Sequence, residues 1–110
     1  MAKISPTQNS LKKVRKEGYI AGVVEKWVMG ADIRRDLFGF IDILAINKEG
    51  GDTLAIQCTS YSNIASHIKK IEADELAVNL AAVRKAGWRI EVHGWHKVKN
   101  RWQVRVVDLS

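Results

Sequence analysis

Apolar and polar positions along this chain follow a repeat that changes period several times. Residues 1–7 are expected to be a flexible start that runs into a helix over about residues 6–17. In that helix Leu11 and Val14 share a face among Lys12, Lys13, Arg15 and Lys16, and Gly18 is placed to stop it. Residues 19–28 read as a strand through Ile20, Val23, Val24 and Trp27. Residues 30–39 read as a loop. An apolar run over 40–46 reads as a second strand and 53–59 as a third. The turn-rich stretch Asn47-Lys48-Glu49-Gly50-Gly51-Asp52 joins them as a hairpin.

A long helix is expected over about residues 63–86, with Ser60 or Ser62 capping its start. Ile64, Ile68, Ile71, Val78 and Ala82 mark its apolar stripe, and Leu76, Leu80 and Val83 widen it. Gly87 suits a C-terminal cap. Residues 88–95 alternate as a strand, a turn forms around Asn100, and residues 102–107 make the last strand. The order αβββαββ predicts one α/β domain over residues 1–110, a central mixed sheet flanked by helices.

With 110 residues one domain is the default, and the limited core of so short a chain makes a homodimer plausible. The formal net charge of +6 favours a polyanionic partner, above all nucleic acid. Cys58 is the single cysteine, so no internal disulfide and no cysteine-rich zinc site can form. No apolar run has the length of a membrane span, and the first ten residues lack the apolar core of a signal peptide, so a cytoplasmic protein is expected.

Certain polar residues break the apolar pattern. Asp42 interrupts Phe40-Ile41-Asp42-Ile43-Leu44-Ala45-Ile46, and an ionised carboxylate there needs a partner or a metal. The alternative places it at the sheet end, capping a loop. In the next strand Gln57 and Thr59 share a face, while Leu54, Ile56 and Cys58 share the other. A carboxylate with oxygen donors beside it suits a hard cation such as Mg2+ (or Mn2+).

The words Asp36-Leu37-Phe38-Gly39-Phe40-Ile41-Asp42-Ile43-Leu44-Ala45 and Ala55-Ile56-Gln57-Cys58-Thr59-Ser60, in this element order, resemble the PD-(D/E)XK nuclease superfamily. Within it the chain is similar to the small archaeal and phage Holliday-junction resolvases and to VRR-type nucleases, over about residues 8–95. The resemblance implies a restriction-endonuclease-like fold and metal-dependent cleavage of branched DNA by a dimer, in DNA recombination in a bacterial, archaeal or phage-infected cell. It makes Asp42 the metal-binding aspartate, puts Gln57 in place of the second acidic ligand and Thr59 where the lysine stands, and adds the main-chain carbonyl near Cys58. Lys70, or else Lys69, would replace that lysine from the following helix. Glu25 is the substitute for the glutamate that resolvases take from the first helix; its other reading is a solvated residue pairing with Lys26 or Arg35. Asp36 is a further option, although a loop aspartate more often closes a turn.

DNA contacts are expected from Arg34 and Arg35, from Lys12 and Lys13 on the first helix, and from Ser60 and Asn63. His93 and His96, three apart on a strand, point to opposite faces and make a poor metal pair. His67 either meets DNA or is exposed. Core packing is expected for the tryptophans, with Trp27 and Trp95 alternatively at a subunit interface or stacked on unpaired bases. Cys58 reads as a small core residue. A binding protein that has lost catalysis is the second functional reading, and a mismatch or restriction-type nuclease the third.

Overall fold

The start of the first helix illustrates how local chemistry sets the elements. Ser5 Oγ accepts from the amide of Gln8, Pro6 occupies the first turn, and Lys13, Arg15 and Lys16 crowd the negative end of α1 (Pro6–Lys16). A computed structural model describes residues 5–30 and 33–110, without the side chains of residues 27, 28, 33 and 34. Ser5, Pro6 and Thr7 are therefore part of a capped helix; only residues 1–4 of the expected flexible start lie outside the description.

The strands are β1 (Tyr19–Val23), β2 (Lys26–Val28), β3 (Ile33–Arg35), β4 (Ile43–Asn47), β5 (Thr53–Ser60), β6 (Arg89–Val98) and β7 (Arg101–Asp108). Five of them form one mixed sheet in the order β1-β4-β5-β6-β7, and β2 pairs with β3 in a separate two-stranded ribbon. Only β5 and β6 run parallel within the five-stranded sheet, and the chain between them is helical, as a parallel connection requires. The expected α/β class with a mixed sheet and flanking helices is the observed one. The β4–β5 hairpin turns where Asn47 Oδ1 accepts from the amide of Glu49. The β6–β7 hairpin turns on Lys99 and Asn100, both with positive φ.

Three boundaries differ from expectation. The strand over residues 19–28 is two strands: Val24 still donates to the carbonyl of Asp42, and the chain then leaves the sheet to form the β2–β3 ribbon. That ribbon occupies part of the expected loop over 30–39. The second strand begins at Ile43, because Phe40 and Ile41 belong to a tight loop in which Leu37 and Ile41 exchange backbone hydrogen bonds.

The long helix is also two, α2 (Ile64–Ile71) and α3 (Ala77–Lys85), separated by a turn over Asp74–Leu76. Ala73 is extended, and Asp74 and Glu75 stand at the positive start of the next helical segment. The break shifts the phase of the apolar stripe. Ile64, Ile71, Leu80 and Val83 are buried, but Val78 is 81% exposed. Neither Ser60 nor Ser62 caps the helix through a side chain; their hydroxyls face each other at 3.4 Å.

Helix α1 covers one face of the sheet, packing Leu11 and Val14 on Ile43, Ala45, Leu54, Ile56 and Cys58. Helices α2 and α3 cover the other with Ile64, Ile71, Leu80 and Val83 over Ala55, Ile90 and Val92. Hence β5 is buried from Leu54 to Thr59. Gly94 lets α2 come close: a Cβ there would collide with the side chain of Ile64 and lie 3.2 Å from Tyr61 Cα. On the edge strand β7, Trp102 is 39% exposed rather than core, with Lys97 Nζ 5.2 Å from its ring centroid. Among the described residues, no helix is long and apolar enough to cross a membrane.

Candidate metal centre

Asp42 immediately precedes β4 and is held on both sides. Its amide donates to the carbonyl of Ile56 and its carbonyl accepts from Val24, both at 2.8 Å. The side chain therefore projects to the α2–α3 face, the face shared by Gln57 and Thr59. It is only 3% exposed. One carboxylate oxygen, Oδ2, accepts from Gln57 Nε2 at 2.6 Å and from the Cys58 amide at 2.8 Å. The N–H and C=O of one strand residue lie on the same side, so the Cys58 carbonyl also faces the Asp42 side.

Two more carboxylates converge here. Glu25 follows β1 where the chain departs from the sheet, and Asp36 follows β3. The Leu37–Ile41 exchange folds the intervening loop tightly and sets Asp36 opposite Asp42. Ligand oxygens of Glu25, Asp36 and Asp42 all lie within 4.8 Å of one another. Two carboxylates at such a spacing repel by about 3–4 kcal/mol near a protein surface. Burial, a hydrogen bond with Asp36 and the charges of Asp36 and Glu25 together push the Asp42 carboxyl up to about 8, against the pull of the Cys58 amide. Two carboxyl groups share a hydrogen bond only when one holds a proton, so without a cation this site keeps a proton at neutral pH.

The donor set fits a hard divalent cation. Gln57 is 3% exposed, its Nε2 is spent on Asp42, and its Oε1 is buried without a partner. Such an acceptor costs about 1–3 kcal/mol when left unmet. Neighbouring carboxylates cannot donate to it unless protonated, whereas a cation satisfies it directly.

A groove of about 520 Å³ borders the cluster, lined by Arg35, Asp36, Phe38, Gly39, Lys70 and Asn79. Lys70, not Lys69, reaches this groove; Lys69 lines a separate hollow with Ala65 and Ile68. His67 is half-buried rather than exposed. Burial and the Lys70 charge lower its pKa, the Asp36 charge opposes them, and its buried Nδ1 has no partner.

Thr59 lies buried one step further along the same face as Gln57. Ser60 and Asn63 stand at the same end of the sheet. Lys12 and Lys13 do not join the groove, because α1 packs on the opposite face and Lys13 is paired with Glu17 at 2.6 Å. The Arg34 side chain lies outside the described residues, as does that of Trp27. The Cys58 thiol points to the α1 face beside Ser10, where burial pushes it up to about 12. It stays protonated and packs as a core residue, so Cys58 serves the cluster only through its backbone.

The sequence reading undervalued Asp36 and His67. Asp36 faces Asp42 because of a loop closure, which leaves no periodic signal. It also did not foresee the network beneath α1, where Ser10 Oγ lies 2.9 Å from His93 Nδ1 and His93 Nε2 lies 2.9 Å from Glu91 Oε1. Trp95 Nε1 donates to the same serine oxygen at 2.8 Å. The line of groups looks like a nucleophile with its base, but Ser10 and His93 are both 0% exposed and no substrate reaches them. The network ties α1 to β6. His96 lies on the other face, stacked on Tyr61 with ring centroids 4.3 Å apart, so the two histidines do not form a metal pair.

Comparison of the chain with protein-family models, curated proteins and solved structures gave no match.

Proposed function

We propose that this protein is a metal-dependent endonuclease that cuts phosphodiester bonds in branched DNA, with Mg2+ or Mn2+ held by Asp42, Asp36 and Glu25. The observation that carries the reading is the convergence of these three carboxylates within 4.8 Å beside the unmet Oε1 of Gln57. Gln57 Oε1 and the Cys58 carbonyl are the neutral oxygens that would complete the site. A cation bound there supplies charge to the phosphoryl oxygens and acidity to a water molecule.

The chain's own residues account for the remaining needs. Arg35 and Lys70 offer positive charge to phosphate oxygens from the rim of the groove. Asp42 must release its proton on cation binding, and the Cys58 amide then stabilises the ionised form. The net charge of +6 suits a polyanionic substrate. The likeness to PD-(D/E)XK nucleases, which implies these roles for Asp42, Gln57 and Lys70, supports the reading. Asp36 takes the share of acidity that Gln57 does not supply. A symmetric dimer acting on four-way junctions is the form of this reading that the resemblance suggests.

One observation favours a second reading, DNA binding without cleavage. Gln57 already donates to Asp42, which lets the site close around a proton instead of a cation. Cleavage of a labelled four-way junction and a linear duplex, with Mg2+, Mn2+ or chelator, separates the two. The nuclease reading expects metal-dependent cuts that vanish in Asp42→Ala, with paired cuts in the junction for a resolvase. Tight binding with no cutting under any metal leaves the second reading.

A further inference from the structure

We infer that the hollow bordered by Phe38 and Trp88 is a pocket for an unpaired nucleobase of the bound strand; this rests on the nuclease reading and specifies its substrate. The hollow measures about 370 Å³ and is lined by Phe38, Asn79, Ala82, Val83, Ala86 and Trp88. That volume lies in the range of small-ligand pockets. The two ring centroids lie 6.3 Å apart with planes tilted by 37°, so the rings touch each other and form one aromatic side of the hollow, against which a base can stack. Ala82 on α3 and Ala86, which caps its end, keep the floor small.

Phe38 is held in place at a cost. Its φ is 55°, a conformation that bulky residues rarely adopt, and its side chain is 48% exposed. Such strain is worth about 1–3 kcal/mol. Asn79 Nδ2 donates to the Phe38 carbonyl at 2.9 Å, and the Gly39 amide closes the turn onto Asp36 at 3.0 Å. A glycine would suit this backbone better; what phenylalanine adds is an exposed ring. With Nδ2 engaged, Asn79 Oδ1 is left to accept from a base edge.

The occupant follows from continuity. Phe38 and Asn79 also line the groove that holds Arg35, Asp36 and Lys70. An apolar, aromatic-walled hollow thus opens directly beside a cationic and acidic groove, matching a base and its own phosphate. Aromatic walls accept any base, because every base has a π face. Only a strand with a base free of its partner can fill the hollow, so the pocket selects bulges, flaps and branch points that carry unpaired bases over regular duplex.

The test uses Asp42→Asn protein, chosen to bind without cutting, and fluorescence anisotropy with three duplexes in Mg2+. One is fully paired, one carries a single unpaired adenine, and one carries an abasic residue at that position. The adenine duplex should bind about tenfold more tightly than the abasic one. Ala82→Phe, which fills the hollow without emptying the core, and Phe38→Ala should each abolish that difference in the same background. Equal affinity for the adenine and abasic duplexes, with metal-dependent cutting intact in the wild type, overturns the pocket alone. So does a folded Phe38→Ala variant that keeps the adenine preference. Binding of none of the three duplexes removes the nuclease reading and the pocket together.

Discussion

Gln57 Nε2 donates to Asp42 Oδ2 across 2.6 Å, joining β5 to the residue that enters β4 at the end where the acidic cluster forms. The contact leaves Gln57 Oε1 buried and unmet and holds Asp42 beside two other carboxylates. The site thus combines three close carboxylates with an idle buried acceptor.

Stability without metal should fall as pH rises. The Asp42 pKa is raised from 3.8 to about 8, so its contribution is fully present below about 4 and is lost as pH climbs through about 8. The slope it adds approaches about 1.4 kcal/mol per pH unit within that window. Urea unfolding with chelator at pH 5 and pH 8.5 should show the loss. Asp42→Asn keeps an oxygen for both donors and should remove most of the slope, making the variant more stable than wild type at pH 8.5.

Gln57→Glu should strengthen cation binding by about tenfold, since an added charge replaces a neutral oxygen. It should also destabilise the metal-free protein at neutral pH through added repulsion. Calorimetric Mn2+ titration and metal-free thermal melts report the two effects, and they should move in opposite directions.

Lys70→Ala should lower the cleavage rate by about 100-fold with little change in fold, as expected for a positive group facing developing phosphoryl charge. Lys69→Ala should stay within about threefold of wild type, since Lys69 lines a different hollow. Single-turnover cleavage at saturating Mg2+ distinguishes them.

Ser10→Ala should cost about 1–3 kcal/mol, because it strips partners from His93 Nδ1 and Trp95 Nε1 beneath α1. Cleavage by the folded variant should be unchanged. Urea unfolding beside a cleavage assay checks both points.

Strand alternation made Asp42, Gln57 and Thr59 legible, because a period of two assigns faces before any contact is known. It also placed Leu54, Ile56 and Cys58 together on one face, which α1 is found to cover. Asp36 was obscured because it meets Asp42 through the Leu37–Ile41 loop closure, where no repeat operates. The break between α2 and α3 was hidden for a related reason. Both helices lie on one sheet face, so their apolar residues look like a single stripe until Val78 is found in solvent. His93 was recognised as facing away from His96, but its bond to Ser10 spans 83 residues and has no local signal.

The account stands most directly on a Mn2+ titration followed by electron paramagnetic resonance at pH 7.5, comparing wild type, Asp42→Asn and Gln57→Leu. It predicts saturable Mn2+ binding by the wild type, weakened by at least about tenfold in Asp42→Asn and measurably in Gln57→Leu. Equal binding by wild type and Asp42→Asn, or no binding by the folded wild type, would contradict a metal centre at Asp42.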